Sequence, residues 1–321
     1  MGLRKLIKDV ILWTYWFPCR FVACRIPARA LYLIGKITGA VIQVFAIPNK
    51  RALEKELEAL ERATGRRFSR REVIRDTLVA QVWIEAEVLC YPVMNAGNIE
   101  SYVTCEGMKH VDEGLSRGKG VMLVFGHFGA NRMVMPAMGY RNHRIHQISM
   151  PATVWLDKMP GLSAMEKRGI MLREAAEQAL PAKFINIMKT LRPAYRHLGS
   201  NEVIGVAVDG PGGDRASELP FLGRIAGFSA GAMRIAIQAG CTVLPVFMVR
   251  SASGRNRMII EPPLYNGGEA DKEVTPEVLL TRFLVQFEDY ILRFPSHYLA
   301  YLGLRSRMAK IDDTPLFKAV N

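Results

Sequence analysis

Short apolar runs punctuated by glycine or polar turns set the pattern of the chain. The runs at 121–125, 203–208 and 242–249 are almost unbroken in hydrophobic residues. Strands that read this way are covered on both faces, as in a parallel sheet, whereas half-exposed strands alternate. Shorter runs at 102–105, 144–148, 183–187 and 258–261 predict further strands. Segments at 107–117, 128–138, 163–179, 188–198 and 229–239 lie between them and predict helices. A last helix is predicted at 276–293, behind Thr275-Pro276-Glu277. This alternation gives an α/β fold with a mainly parallel central sheet flanked by helices.

The first hundred residues break the pattern and read as helical. RALEKELEALERA at 51–63 is amphipathic with charge pairs four apart. Ser69-Arg-Arg-Glu72 has the spacing of a capping box, opening a helix to about Cys90 with Val73, Ile74, Leu78, Val79 and Val82 on its apolar side. The expected organisation is therefore 1–50 as basic aromatic helices, 51–100 as a helical extension and 101–321 as the α/β domain. No internal repeat or long linker interrupts it.

Charge sharpens this division. Among 321 residues, half are hydrophobic and 23% charged, which excludes a disordered chain. Lys and Arg number 43 against 30 Asp and Glu, a net charge of +13 that favours an anionic partner. Residues 1–50 hold eight basic side chains and one acid, so more than half the surplus sits in the first sixth of the chain. Trp13, Tyr15, Trp16, Phe17 and Phe21 lie among those cations. Rings in the acyl boundary with Lys and Arg reaching phosphate describe a helix lying on an anionic membrane surface. Nucleic acid is a poorer fit, since no recognised motif accompanies the charge. The longest uncharged run, 235–249, is too short to span a bilayer, and Pro18-Cys19-Arg20 after the first apolar stretch is not a signal-peptide cleavage site. Five cysteines without a CxxC predict neither a disulfide framework nor a zinc site, and fit a reducing compartment.

Two strand ends carry candidate chemistry. The 121–125 run leads into Gly126-His127-Phe-Gly-Ala-Asn131-Arg132, and the 203–208 run into Asp209-Gly210-Pro-Gly212-Gly-Asp214-Arg215. In a parallel sheet the crevice beyond the strand C-termini is where ligands bind. A histidine there can serve as general base near neutral pH. Neither GxGxxG nor GxxxxGK[ST] is present, so no nucleotide loop is predicted. His143 and His146, three apart on a strand, point to opposite faces and do not predict a shared metal. His110 and His197 read as surface or packing residues, and Glu166, Glu174 and Glu177 as a solvated helix face.

In order and spacing these blocks resemble the bacterial lipid A late acyltransferases, within the lysophospholipid and glycerolipid acyltransferase superfamily. The resemblance rests on the basic apolar N-terminus, the Gly-His-Phe-Gly-Ala-Asn block and the Asp209-Gly-Pro-Gly turn. It continues through Pro220-Phe221-Leu-Gly223-Arg224, Gly240-Cys-Thr-Val-Leu-Pro245 and the closing Pro295-Ser-His-Tyr298 before Leu304-Arg305-Ser-Arg307. It implies transfer of a fatty acyl group from acyl carrier protein or coenzyme A, the co-substrate, to a membrane-lipid hydroxyl, with no cofactor or metal. The site of action it implies is the cytoplasmic face of the bacterial inner membrane, reached as a peripheral or monotopic protein.

The resemblance further implies that His127 is the base. Asn131, Arg132, Gly210, Gly212, Arg215, Phe221, Gly223 and Arg224 are the implied substrate contacts, with Arg215 or Arg224 holding phosphate. Met133 and Met135 stand near enough along the chain to line an acyl channel, or to pack in the core.

One position departs from the family motif, which has Asp or Glu five residues after the histidine. Here that residue is Arg132, which cannot orient an imidazole. Three explanations follow. Another acid takes the place, Asp209 first because it too ends a strand; Asn131 or a carbonyl fixes the ring; or the chain binds lipid without reacting. A hydrolase using His127 and Asp209 is a further alternative, weakened by the lack of a G-x-S-x-G elbow.

Overall fold

The continuous apolar runs become adjacent strands at the middle of one sheet. The computed structural model describes residues 2–45, 47–154, 156, 159, 161–210, 216–268, 271, 273–312 and 314–318. The seven strands of the main sheet are β1 (Val103–Glu106), β2 (Val121–Phe125), β3 (Ile145–Ser149), β4 (Ala182–Asn186), β5 (Val203–Ala207), β8 (Thr242–Arg250) and β9 (Asn256–Ile260). They lie in the order β1-β9-β8-β2-β5-β3-β4. β8, β2, β5, β3 and β4 run parallel. β9 turns back antiparallel to β8, and β1 pairs parallel with β9. The sheet is thus mostly parallel, with two reversed strands at one edge.

Register places the candidate chemistry. In the β2–β5 pair, Phe125 lies opposite Ala207. His127 and Asp209 each follow two residues later, so the two strand ends deliver them side by side.

Alternation along β2 explains why both its faces are apolar. Met122 and Val124 enter one core, with Leu279, Phe283, Phe287 and Ile291 of helix α11 (Pro276–Arg293). Val121, Leu123 and Phe125 enter the other, with Val111 of α6 (Met108–Leu115) and Val134, Ala137 and Met138 of α7 (Val134–Gly139). Among the described residues the chain also forms helices α1 (Leu3–Thr14), α2 (Arg20–Ala23), α3 (Ala28–Phe45), α4 (Ile47–Thr64), α5 (Arg70–Cys90), α8 (Ala164–Gln178), α9 (Arg192–Gly199), α10 (Gly231–Ala239) and α12 (Leu299–Asp312).

The N-terminal helices are bound into this frame. α4 is amphipathic as its sequence predicts, and buries Leu53, Leu57 and Leu60. α5 serves both cores, with Ile74 and Leu78 in one and Val79, Trp83 and Leu89 in the other. α3 lies close along α5 because Gly35 and Gly39 leave room for it. A Cβ at Gly35 would stand 2.5 Å from the Trp83 ring, and one at Gly39 2.7 Å from Val79.

A buried polar network locks α3 and α5 to the sheet. Glu87 on α5 accepts from the Tyr32 hydroxyl of α3 at 2.9 Å, from both terminal nitrogens of Arg250 on β8 at 2.8 and 3.1 Å, and from Asn256 on β9 at 2.6 Å. A two-pronged arginine–carboxylate pair is the geometry in which a buried charge pair offsets its desolvation.

The opposite side of α1 and α3 is bare. Among the described residues, thirteen of the twenty-two exposed large hydrophobic side chains lie within the first 42, including Ile7, Ile11 and Trp13 on α1 and Leu33, Ile37 and Val41 on α3. Among the described residues no helix is long and apolar enough to cross a membrane. All five cysteines are free thiols.

Three local features differ from the sequence reading. Residues 217–228 form a hairpin, β6 (Ser217–Phe221) with β7 (Arg224–Phe228), turning on Leu222 and Gly223, both at positive φ. α12 extends the chain where no helix was expected. The Ser69 side chain caps nothing. Glu61 of α4 holds the turn before α5 instead, accepting from the Phe68 N–H at 3.0 Å and from Arg70. The capping box is at Ser163 and Glu166, opening α8.

Candidate active site

Two glycines let the histidine loop tuck against the end of the sheet. A Cβ at Gly126 would run into the Phe287 ring and lie 3.0 Å from Asp209 Oδ2. One at Gly129, where φ is +57°, would strike the Met248 carbonyl oxygen. Between them His127 meets Asp209 twice. Its main-chain N–H donates to Oδ2 at 2.8 Å, and its Nδ1 lies 2.7 Å from Oδ1. A carboxylate only accepts, so Nδ1 carries a proton, and in the neutral ring the lone pair is on Nε2. No described residue hydrogen-bonds Nε2. Asp209 is fully buried while the His127 side chain is 40% exposed. The carboxylate therefore stands behind the ring and the open nitrogen is on the accessible member.

Two tyrosines complete the enclosure. Tyr298 donates its hydroxyl to Asp209 Oδ2 at 3.1 Å, and Tyr301 donates to the Asp209 carbonyl at 2.8 Å. The Tyr301 ring stacks on His127 with centroids 4.4 Å apart and planes 5° from parallel. Burial, and then the Asp209 charge, push both phenols well above their ordinary range, so they stay protonated as donors.

His297 anchors the loop from below. Its carbonyl accepts from Gly129 N–H at 2.9 Å, its ring stacks on Phe128 at 5.2 Å, and its Nε2 accepts from the Arg250 main chain at 2.9 Å. Burial, and then the nearby Arg250 charge, push His297 down to about 3, so it is neutral. An imidazole of this kind is a fixed structural acceptor.

Arg132 turns away from the imidazole. It sits on a single 3₁₀ turn, Asn131–Met133, and its guanidinium meets Glu177 of α8 at 3.1 Å. The acids expected as a solvated face are thus engaged: Glu177 by Arg132, Glu174 by the Ala152 N–H at 2.6 Å, and Glu166 by Ser163 and Lys8. They point inward because α8 packs on the N-terminal helices and the histidine loop rather than standing free.

The remaining expected substrate contacts fall into two groups. Asn131, Arg132 and Gly210 are part-exposed and adjoin His127 or Asp209 along the chain. Phe221, Gly223 and Arg224 lie in the hairpin. Phe221 is fully buried, edge-on to Phe228 at 5.1 Å and behind Tyr298 at 6.3 Å. Gly223, at φ +72°, leaves no space for a Cβ beside the Ala63 carbonyl of α4. Arg224 lies 3.4 Å over the Phe317 ring, with its pKa lowered by burial. Gly212 and Arg215 lie outside the described residues. Met133, at the start of α7, and Met135, within it, are buried in the core.

A second polar cluster was not foreseen. Glu202 Oε2 is 2.8 Å from both His146 Nε2 of β3 and His197 Nδ1 of α9, and the two rings stack 3.5 Å apart. The three donor atoms lie within 4.8 Å of one another. Face-to-face rings do not converge two lone pairs on one ion as a tetrahedral site requires. Arg144 on Glu202 and the charge of Lys183 near His146 add repulsion for a cation. The trio braces α9 at the N-terminal ends of β3 and β5, the opposite end of the strands from His127 and Asp209. His143 faces elsewhere, toward Asp112.

The sequence model for bacterial lipid A biosynthesis acyltransferases matches residues 3–300. No curated protein matches at a significant level. The match takes in the whole main sheet, both members of the His127–Asp209 pair and Tyr298. The chain belongs to the bacterial lipid A biosynthesis acyltransferase family.

Proposed function

We propose that this chain moves a fatty acyl group from a thioester, carried by acyl carrier protein or coenzyme A, to a hydroxyl of a lipid A-like acceptor. Membership of the family supports acyl transfer to lipid. The observation that carries the finer reading is the 2.7 Å contact of His127 Nδ1 with buried Asp209, which leaves Nε2 as the open basic nitrogen.

In this scheme Nε2 takes the acceptor's hydroxyl proton as the oxygen attacks the thioester carbonyl. The tetrahedral adduct collapses, the C–S bond breaks, and the imidazolium returns the proton to the leaving thiolate. Asp209 holds the ring and stabilises the imidazolium without taking the proton itself. No cofactor or metal enters. Asn131, Gly210 and the half-exposed Arg132 are the nearest substrate contacts in this reading, with Gly212 and Arg215 on the turn after Asp209. Phe221, Gly223 and Arg224 shape the site from behind, through Tyr298 and α4.

The bare apolar side of α1 and α3, set among the basic residues of the first fifty, supports docking on an anionic leaflet. The proposed place of action is the cytoplasmic face of the bacterial inner membrane.

The test supplies labelled acyl carrier protein or acyl-CoA with lipid extracted from a Gram-negative membrane. Label should move to one lipid in wild type and not in His127→Ala. Asp209→Asn should lower turnover by roughly 10⁴, as loss of the orienting acid does in a serine-protease triad. Free acid released without an acceptor would make the chain a hydrolase. No turnover by folded protein with either donor would make it a lipid binder.

A further inference from the structure

We infer that Tyr298 and Tyr301 are positioning residues that set the basicity and the orientation of His127 through Asp209. The inference rests on the proposed role of His127 and adds two members from a part of the chain remote from both strand ends. The segment that carries them begins at Pro295. His297 clamps the loop at Gly129, Tyr298 reaches the carboxylate, and Tyr301, one helical turn on, covers the imidazole. One short stretch thus holds the loop, the acid and the ring.

The two tyrosines have separable jobs. Asp209 Oδ2 already accepts from the His127 main chain, and the Tyr298 hydroxyl is its second donor. A donor there draws negative charge away from Oδ1 and moderates the pull of the carboxylate on an imidazolium. Tyr301 acts by contact. Its ring, parallel to the imidazole, leaves His127 one plane in which to lie, and its hydroxyl pins the Asp209 carbonyl so that acid and base share a frame. A ring face also favours the cation that forms when the base takes its proton. The other charged group facing these phenols is Arg305 on α12, whose charge opposes the upward push of Asp209 on both. It is buried and bonded to the Thr314 carbonyl at 3.0 Å. From α11 the Phe287 ring, which carries no charge, meets Tyr298 edge-on with centroids 5.0 Å apart.

The variants are Tyr298→Phe, Tyr301→Leu and Tyr301→Phe in the full chain, each first shown to melt cooperatively. With Tyr298→Phe, Asp209 is less compensated and holds the imidazolium more tightly. The acid limb of the kcat/KM profile should move up by roughly half to one pH unit, the leverage of one hydrogen bond to a charged group. Tyr301→Leu should lower kcat about tenfold with KM within about twofold, since orientation is lost and substrate contacts are not. Tyr301→Phe, which keeps the ring, should recover most of that loss.

A second readout needs no turnover. In protein with ¹⁵N-labelled histidine, the Nδ1 proton of His127, identified by its absence in His127→Ala, should shift in Tyr298→Phe and broaden by exchange in Tyr301→Leu. An unmoved proton in both folded variants, with unchanged profiles, overturns the inference. Shifts as expected in a protein that transfers no acyl group leave this positioning intact and overturn the proposed reaction instead.

Discussion

A histidine can take its orienting acid from five residues downstream or from eighty-two, provided the same ring nitrogen is met. Here it is eighty-two, because parallel strands in register deliver His127 and Asp209 at one level. The vacated motif position is free to hold an arginine, which pairs with Glu177. His127 and Asp209 were legible in the sequence because each follows a buried strand at a polar turn. Their pairing could be offered only as the first of three explanations for Arg132, since nothing along the chain records strand order. Tyr301 left no signal at all: its contact spans 92 residues. Beneath the loop, His297 carries a prediction of its own. It is held neutral and pushed down to about 3 when folded, whereas an unfolded imidazole titrates near 6.5. Between those values the unfolded chain binds more protons, so stability rises with pH. The contribution is complete above about pH 6.5 and is lost as pH falls toward 3. His146, lowered first by burial and then by His197, adds in the same direction. Urea unfolding followed from pH 7 to 4 should show falling stability, and His297→Gln should flatten that slope.

Elements were legible in proportion to how fully they are covered. β2, β5 and β8 read as unbroken apolar runs because helices cover both faces, and α11 begins at Pro276 as its Thr-Pro-Glu signature predicts. The β6–β7 hairpin did not read as one. Proline interrupts β6, and the turn uses leucine rather than asparagine at its first positive-φ position. α12 hid for a different reason: its apolar and basic residues do not segregate to one face, so it lacks a helical stripe. The signal at Ser69 places the start of α5 at Arg70 and its end at Cys90 as expected, but the cap bond itself is absent because Glu61 of α4 supplies the acceptor. Gly223 shows what the hairpin turn demands. Its φ of +72° is unfavourable for any side chain, and the Ala63 carbonyl occupies the space a Cβ would fill. Gly223→Ala should destabilise the protein by more than about 1 kcal/mol, read as a lower Cm at unchanged slope. A shift no larger than that of Gly199→Ala, which has open space around it, would mean the hairpin is not held against α4.

At the scale of the whole molecule, charge and bare hydrophobic surface coincide in the first fifty residues, while the His127–Asp209 pair lies just beyond the C-terminal ends of β2 and β5. Binding to vesicles with anionic lipid should therefore have two components. High salt should weaken it without abolishing it, because the apolar face persists when the charges are screened. Ile37→Glu with Val41→Glu, both exposed on α3, should cut binding about tenfold with little change in melting temperature. Sedimentation with vesicles at low and high salt measures both, and unchanged binding in the double variant would remove α3 from the contact. The network around Glu87 gives this face a further meaning. Tyr32, Glu87, Arg250 and Asn256 join α3 to two strands through buried bonds, and Arg250 passes the connection on to His297 beneath the histidine loop. The helices are therefore a ruler and not a leash. In the proposed reading, seating α3 on a leaflet would fix the height of His127 relative to it, and an acceptor hydroxyl would have to rise to that height to be acylated.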